Sequence, residues 1–270
     1  MVGIKNQQGN DCATEVRVQV NKDGSYKVRY FLKDTGKCRL SVKANEEHIR
    51  GSPFAVNTKP RQFRPLLSFG KEGSSVGMLA GPYRVSVNER DEISGTETGN
   101  HRIQVFSSDG TYLRSFGSEG NNKGEFNFPS GRAHDTNNNI TVVNKENHSV
   151  QLFNEQGEYL SQAGGEGNLD HQLSNPFGLS VDGNGNIIVA DEGNSLIKTF
   201  SSNGQFLYKL GEEIRGTGDE QFNEPRFLSV NKAGHLMVCD RENHKVQVFE
   251  LSGRFVTKFG KEGSRPGEFQ

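Results

Sequence analysis

Glu242-Asn243-His244-Lys245-Val246-Gln247-Val248-Phe249 decides the fold, because the chain carries three earlier versions of the same stretch. They are Gly99-Asn100-His101-Arg102-Ile103-Gln104-Val105-Phe106, Glu146-Asn147-His148-Ser149-Val150-Gln151-Leu152-Phe153 and Gly193-Asn194-Ser195-Leu196-Ile197-Lys198-Thr199-Phe200. Their asparagines are spaced by 47, 47 and 49 residues. Twelve residues ahead of each stands Asn88, Asp135, Asp182 or Asn231, closing a short apolar run. Sixteen residues after each comes a closing pair: Phe116-Gly117, Ala163-Gly164, Leu210-Gly211 and Phe259-Gly260, with Phe69-Gly70 ahead of the first.

One unit reads as four strands. In the third copy these are FGLSVD (177–182), NIIVAD (186–191), LIKTF (196–200) and QFLYKLG (205–211). Val246-Gln247-Val248-Phe249 and Ile103-Gln104-Val105-Phe106 alternate in polarity, as strands with two unlike faces do. Asp109-Gly110, Asp182-Gly183 and Asn203-Gly204 supply tight turns between them. Four antiparallel strands per unit make one blade of a β-propeller. A blade cannot bury both faces alone, so neighbouring blades must stack. The fold class is therefore all-β.

Composition agrees. The 33 glycines against 8 prolines suit many short strands with tight turns. The mean hydropathy of −0.72 is lean for a single thick core. Apolar runs fall well short of the ~18 residues of a membrane span, and no hydrophobic leader follows Met1. Cys12, Cys38 and Cys239 are too few and too scattered for a disulfide framework or a zinc set, which favours a reducing, cytoplasmic setting. Residues 1–65 carry a net charge of +7 (13 basic, 6 acidic) and residues 66–270 one of −8 (19 basic, 27 acidic), consistent with two domains.

The N-H-x-[IV]-Q-[VL]-F strand, preceded by a G-x-F-x-x-P-x-G loop, resembles the NHL repeat, and the likeness covers residues 66–270. Residues 1–57 resemble the later part of a filamin-type immunoglobulin-like repeat, through Gly24-Ser25-Tyr26, Gly36-Lys37 and Ile49-Arg50-Gly51-Ser52-Pro53-Phe54. Tyr26–Tyr30, Arg39–Val42 and Phe54–Val56 are its expected strands, and residues 58–65 read as a linker. A filamin-type repeat followed by an NHL propeller is the order found in tripartite-motif NHL proteins, which resemble E3 ubiquitin-protein ligases. That resemblance implies a RING, B-box and coiled coil upstream and six blades in the propeller. Four repeats and the start of a fifth are present, so both ends are expected to be truncated.

Two blades depart from the pattern. Glu92-Ile93-Ser94-Gly95-Thr96-Glu97 replaces an apolar second strand in the first, with Gly95 where the third has Val189. In the second, Arg132 and His134 occupy the positions of Leu179 and Val181. Drift in a redundant copy is the plain reading; the sharper one has Arg132 lining the channel and touching a ligand. Asp240 with Lys245, and Glu97 with Arg102, read as strand-end ion pairs. The recurring asparagine reads as a turn former. His101, His148 and His244 share one repeat position, which would set them on different blades, too far apart to converge on one zinc ion. No catalytic motif stands out, and nothing requires a small-molecule cofactor or a metal. The chain is therefore expected to be a binding module and not an enzyme.

The blade geometry that the resemblance implies sets the loops ahead of the first strands, and those joining second to third strands, at one end of the propeller. The residues nearest the channel there are Tyr83, Arg84, Ser130, Arg132, Phe177, Arg226 and Phe227. Aromatic and arginine side chains suit a protein partner or an RNA. Those loops carry 10 basic and 16 acidic residues, a net of −6, which opposes a phosphate backbone. A protein partner, such as a ubiquitination substrate, is therefore expected first. An RNA, for mRNA repression, is the alternative, and a structural scaffold the third reading.

Overall fold

The structure, a computed structural model, describes residues 2–6, 8–11, 13–20, 26–32, 36–44, 46–49, 52–58 and 65–269. The chain forms two compact units, Met1–Leu66 and Leu67–Gln270. No helix among the described residues is long and apolar enough to cross a membrane.

The described residues of the first unit form six strands: β1 (Val2–Asn6), β2 (Ala13–Val20), β3 (Tyr26–Leu32), β4 (Gly36–Ala44), β5 (Glu47–His48) and β6 (Phe54–Thr58). β4 is central, pairing antiparallel with β1, β5 and β6, while β2 and β3 form a separate pair. Ile4 and Cys38 are buried on this sheet. The sequence expectation named β3, β4 and β6 but not β1 and β2. The stretch read as a linker lies largely outside the described residues, as do Cys12 and Gly24-Ser25.

The second unit consists of four four-stranded antiparallel sheets. Blade 1 is β7 (Pro82–Val87), β8 (Ile93–Glu97), β9 (Arg102–Phe106) and β10 (Tyr112–Phe116). Blade 2 is β11 (Pro129–His134), β12 (Ile140–Asn144), β13 (Ser149–Phe153) and β14 (Tyr159–Gly164). Blade 3 is β15 (Pro176–Val181), β16 (Ile187–Asp191), β17 (Leu196–Phe200) and β18 (Phe206–Leu210). Blade 4 is β19 (Pro225–Val230), β20 (His235–Asp240), β21 (Lys245–Glu250) and β22 (Phe255–Phe259). Glu92–Glu97 holds a strand despite its polar composition, because β8 is paired along both edges.

The core lies between the blades. Ile103 and Val105 of blade 1 pack on Phe126, Ile140, Val142 and Phe153 of blade 2. Val143, Val150 and Ala163 of blade 2 meet Leu173, Leu179, Val189 and Phe200 of blade 3. Ile188, Ala190 and Ile197 of blade 3 meet Leu236, Val238 and Phe249 of blade 4. The first strands β7, β11, β15 and β19 lie side by side in that order, so they share the inner position. Glycine permits their closest approach: a Cβ on Gly178 would stand 2.3 Å from the Arg226 carbonyl, and one on Gly131 would stand 2.6 Å from that of Phe177. The closing glycines have a different purpose. Gly117, Gly164, Gly211 and Gly260 take positive φ and lie against Phe126, Leu173, Phe222 and Phe269, the apolar plugs of the loops that follow.

Candidate functional site

Each inner strand opens with a proline preceded by a residue of positive φ: Gly81, Phe128, Asn175 and Glu224. The proline faces the last residue of the second strand, as in Pro176 with Asp191 and Pro225 with Asp240. The two residues after the proline therefore emerge at the same end of every blade. These pairs are Tyr83-Arg84, Ser130-Gly131, Phe177-Gly178 and Arg226-Phe227.

Five of the seven expected site residues come together there. Phe177 is the centre, buried to 7% exposure, with Tyr83 edge-on at 6.0 Å and Phe227 edge-on at 5.2 Å between ring centres. Tyr83 and Phe227 keep 48% and 37% of their surface exposed, so the trio offers apolar area to a partner. Cations rim it: Arg226 lies 4.9 Å from the Phe177 ring centre, Lys145 5.9 Å, and Arg84 3.9 Å from that of Phe227. Arg226 is neutralised by Glu192 at 2.9 Å, and Glu224 at 2.6 Å holds Arg241. Arg84 has no carboxylate partner among the described residues, and burial draws its pKa below the usual guanidinium value.

The other two expected residues are turned away. Ser130 is buried and donates to the Phe177 carbonyl at 2.9 Å. Arg132 is buried between blades 1 and 2, where its guanidinium donates to the Ser94 hydroxyl and carbonyl and to the Ser86 carbonyl at 3.4 Å. Its Nε has no partner, and burial lowers its pKa to about 9. His134 beside it accepts from or donates to Ser86 at 2.9 Å, and burial, then the Arg132 charge, lower its pKa to about 4. The small polar strand Ser94-Gly95-Thr96 and the bulky polar pair Arg132 and His134 are thus the two sides of one seam. Where blade 3 sets Ile188 against Leu228 of blade 4, blade 1 sets Ser94 against Arg132.

The recurring motif residues hold the loops that carry the site. Asn100, Asn147, Asn194 and Asn243 each donate through Nδ2 to a glycine carbonyl 27 residues earlier, Gly73, Gly120, Gly167 and Gly216. They are clasps, and the left-handed turn residue is the one that follows: His101, His148, Ser195 or His244. The acid or amide three residues before each asparagine accepts a backbone N–H of the same loop, as Glu97 does from Ala80 and Asp191 from Ser174. The expected ion pairs are present, Glu97 with Arg102 at 2.8 Å and Asp240 with Lys245 at 3.5 Å, with both acids fully buried. A third pair, Asp191 with Lys198 at 3.0 Å, is buried on both sides and was not anticipated. Burial raises the Asp191 pKa. Lys198 also donates to the Leu169 and Gln172 carbonyls.

Lys145 and Glu192 were missed by sequence reasoning. Both follow the last residue of a second strand, and only the alignment of neighbouring blades shows that they border Phe177. Among the described residues no group of histidine, cysteine or carboxylate side chains could hold a metal ion.

Comparison with known proteins shows what the chain is similar to. Residues 1–55 match the Filamin/ABP280 repeat, and residues 173–200 and 222–249 match the NHL repeat. The E3 ubiquitin-protein ligase TRIM71 of Xenopus tropicalis is 36% identical over 114 residues, 40% of this chain and 14% of the relative. Protein lin-41 of Caenorhabditis elegans is 28% identical over 106 residues, 37% of this chain and 9% of the relative. The chain thus carries a filamin repeat and NHL repeats, and it is similar to tripartite-motif NHL proteins. The match takes in only a small part of the length of these relatives. Among solved structures, a streptogramin B lyase aligns over 96% of this chain and 72% of its own, with TM-score 0.51 and 13% identity. A catalytically inactive virginiamycin B lyase from Staphylococcus aureus with quinupristin aligns over 94% and 83%, with TM-score 0.52 and 14% identity. At such identities the likeness extends to the fold alone.

Proposed function

We propose that the NHL unit is a partner-recognition module that docks a protein on the Tyr83–Phe177–Phe227 cluster. The observation that carries this reading is a continuous edge-to-face aromatic trio, with Tyr83 and Phe227 exposed on either side of buried Phe177, rimmed by Arg84, Lys145 and Arg226. Such clusters of aromatic and arginine side chains dominate the energetics of protein interfaces. Arg84 is the specificity element, since its charge is balanced only by an aromatic face and a carboxylate of the partner would complete it. The relatives named as E3 ubiquitin-protein ligases support a wider role in which the module selects a ubiquitination substrate while other parts of such a protein transfer the ubiquitin. Cys239 is a free thiol, which suits the cytoplasm.

The test is capture of partners from cell lysate by the whole chain, followed by titration of the captured protein against Phe227→Ala and Arg84→Ala. A protein retained by wild type and lost from both variants supports the reading. Capture of RNA with sub-micromolar affinity near 150 mM salt, falling steeply with added salt, would replace it with the RNA reading.

A further inference from the structure

Two departures from the repeat meet at one place on blade 3. The first is Ser195. At its position in blades 1 and 2, His101 Nδ1 accepts the Phe128 N–H at 3.4 Å and His148 Nδ1 accepts the Asn175 N–H at 3.1 Å, each ring bridging to the loop ahead of the next blade. Ser195 shares the positive φ of these histidines but is too short for that bridge. Its Oγ is buried without a partner, and the corresponding Glu224 N–H finds no acceptor among the described residues. The second departure is the stretch from Gly211 to Gly216, two residues longer than its counterparts after the other blades. It sets Glu213 and Arg215 beside the Ser195 turn, and a cleft of about 220 Å³ opens there, lined by Asn168, Ser195, Leu196, Glu213 and Arg215 among others. Its walls belong to blade 3 and to the loops on either side of that blade.

The charges around this cleft are unequally satisfied. Lys209 donates to Asp170 and to Glu213 at 2.8 Å each, and Glu212 accepts from the Gln221 amide at 2.6 Å. Arg215 is exposed and, like the Asn168 amide, has no hydrogen-bond or ionic partner among the described residues. The two come from different loops and meet at one cleft, where a guanidinium fork and an amide N–H together make a receptor for a carboxylate. Their chain neighbours Leu169 and Ile214 leave 57% and 73% of their surface exposed, so apolar area accompanies both donors. One free cation among bonded acids suits a single carboxylate and gives a run of phosphates little to pair with.

We propose that this cleft is a second docking point of the NHL unit, taking an aspartate or glutamate side chain of a protein partner, flanked by apolar residues, between Arg215 and Asn168. The proposal rests on the reading of the unit as a protein-recognition module, but it uses none of the aromatic cluster.

The test needs no captured partner. An acetylated, amidated leucine–aspartate–leucine peptide is titrated through the millimolar range into the isotope-labelled whole chain and followed by NMR. The amide resonances of Asn168, Ser195 and Arg215 are expected to move saturably, while those of Tyr83, Phe177 and Phe227 stay in place. The asparagine counterpart of the peptide is expected to bind about tenfold or more weakly, as is the aspartate peptide to Arg215→Ala, the effect of losing a charged hydrogen-bonded pair. Arg215 is exposed, so its replacement leaves the fold intact. Ser195→His restores the ring of the other three blades in a backbone conformation they already adopt, and it is expected to narrow the cleft and weaken the peptide. The absence of a saturable shift overturns the proposal. So does equal affinity for the two peptides, wild-type affinity in Arg215→Ala or in Ser195→His, or a response centred on Phe177. Any of these results alongside intact partner capture by the aromatic cluster removes the cleft alone, whereas peptide binding without capture leaves the cleft standing and removes the cluster.

Discussion

The guanidinium of Arg84 lies 3.9 Å from the centre of the Phe227 ring, although the two residues open the inner strands of blades 1 and 4. Both stand at the position where blades 2 and 3 carry Gly131 and Gly178, the residues that let neighbouring inner strands touch. Blades 2 and 3 thus carry glycine where blades 1 and 4 carry large side chains. The cluster of aromatic and arginine side chains is a product of that substitution.

For the cluster, replacing Phe227 or Tyr83 with alanine should cost about 2 kcal/mol or more in affinity for a protein partner. Isothermal titration with the captured partner measures it. Affinity should change little with salt, because Arg84 is the only cation of the rim without a carboxylate neighbour. A steep salt slope together with a small effect of Phe227→Ala would contradict the aromatic reading.

Arg132→Leu should stabilise the NHL unit by about 1–3 kcal/mol, since it removes a buried cation that lacks a counter-ion and puts in the residue blade 3 uses at that register. Ser94 keeps His134 Nε2 at 3.3 Å as a partner after the change. The midpoint of urea unfolding is the readout, and a lower midpoint than wild type would show that the hydrogen bonds of the guanidinium outweigh its burial.

The pKa of His134 near 4 makes stability fall in mild acid. The unfolded imidazole, with its ordinary value near 6.5, takes up a proton before the folded one, so the unfolded state binds more protons between about 6.5 and 4. Stability should be complete above that window and decline through it by about 1–3 kcal/mol, discounted for partial exposure. In Arg132→Leu the same decline should shrink, because one cause of the low value is gone. Chemical denaturation at a series of pH values follows both effects.

Lys198→Ala should destabilise by about 3–5 kcal/mol, leaving Asp191 buried without its cation. Lys198→Gln should be far milder. Blades 1, 2 and 4 carry Gln104, Gln151 and Gln247 at this register, and Gln104 and Gln247 donate to Glu97 and Asp240. Thermal unfolding of the two variants side by side would expose a cost shared equally by both.

Gly178→Ala should cost about 1–3 kcal/mol or more by overpacking, because the neighbour met at 2.3 Å is backbone and cannot rotate aside. Gly183→Ala, in open space, is the control.

Blade number and strand order were legible from four copies of one motif, because a repeat lets each copy be read against the others. The same comparison flagged Arg132 and His134 as misfits. It could not show that their partners are Ser94 and Ser86, since contacts across a seam join residues nearly one repeat apart that share no pattern. Drift in a single blade and a polar seam spanning two blades look alike in sequence. The recurring asparagine was legible as important, but its reach of 27 residues was not, because a clasp and a turn former call for the same side chain. Lys145 and Glu192 carried no signal at all.

The asparagine clasp also fixes where the chain tolerates a change of length. Asn194 and Asn243 are 49 residues apart where the other intervals are 47, yet Gly216 and Asn243 keep the separation of 27 found in every other blade. The two additional residues fall between Gly211 and Gly216, ahead of the clasped span. Each repeat is therefore a closed cassette joined to the next by a short stretch of free length, and insertions that reshape the rim can accumulate there without disturbing how the blades are held.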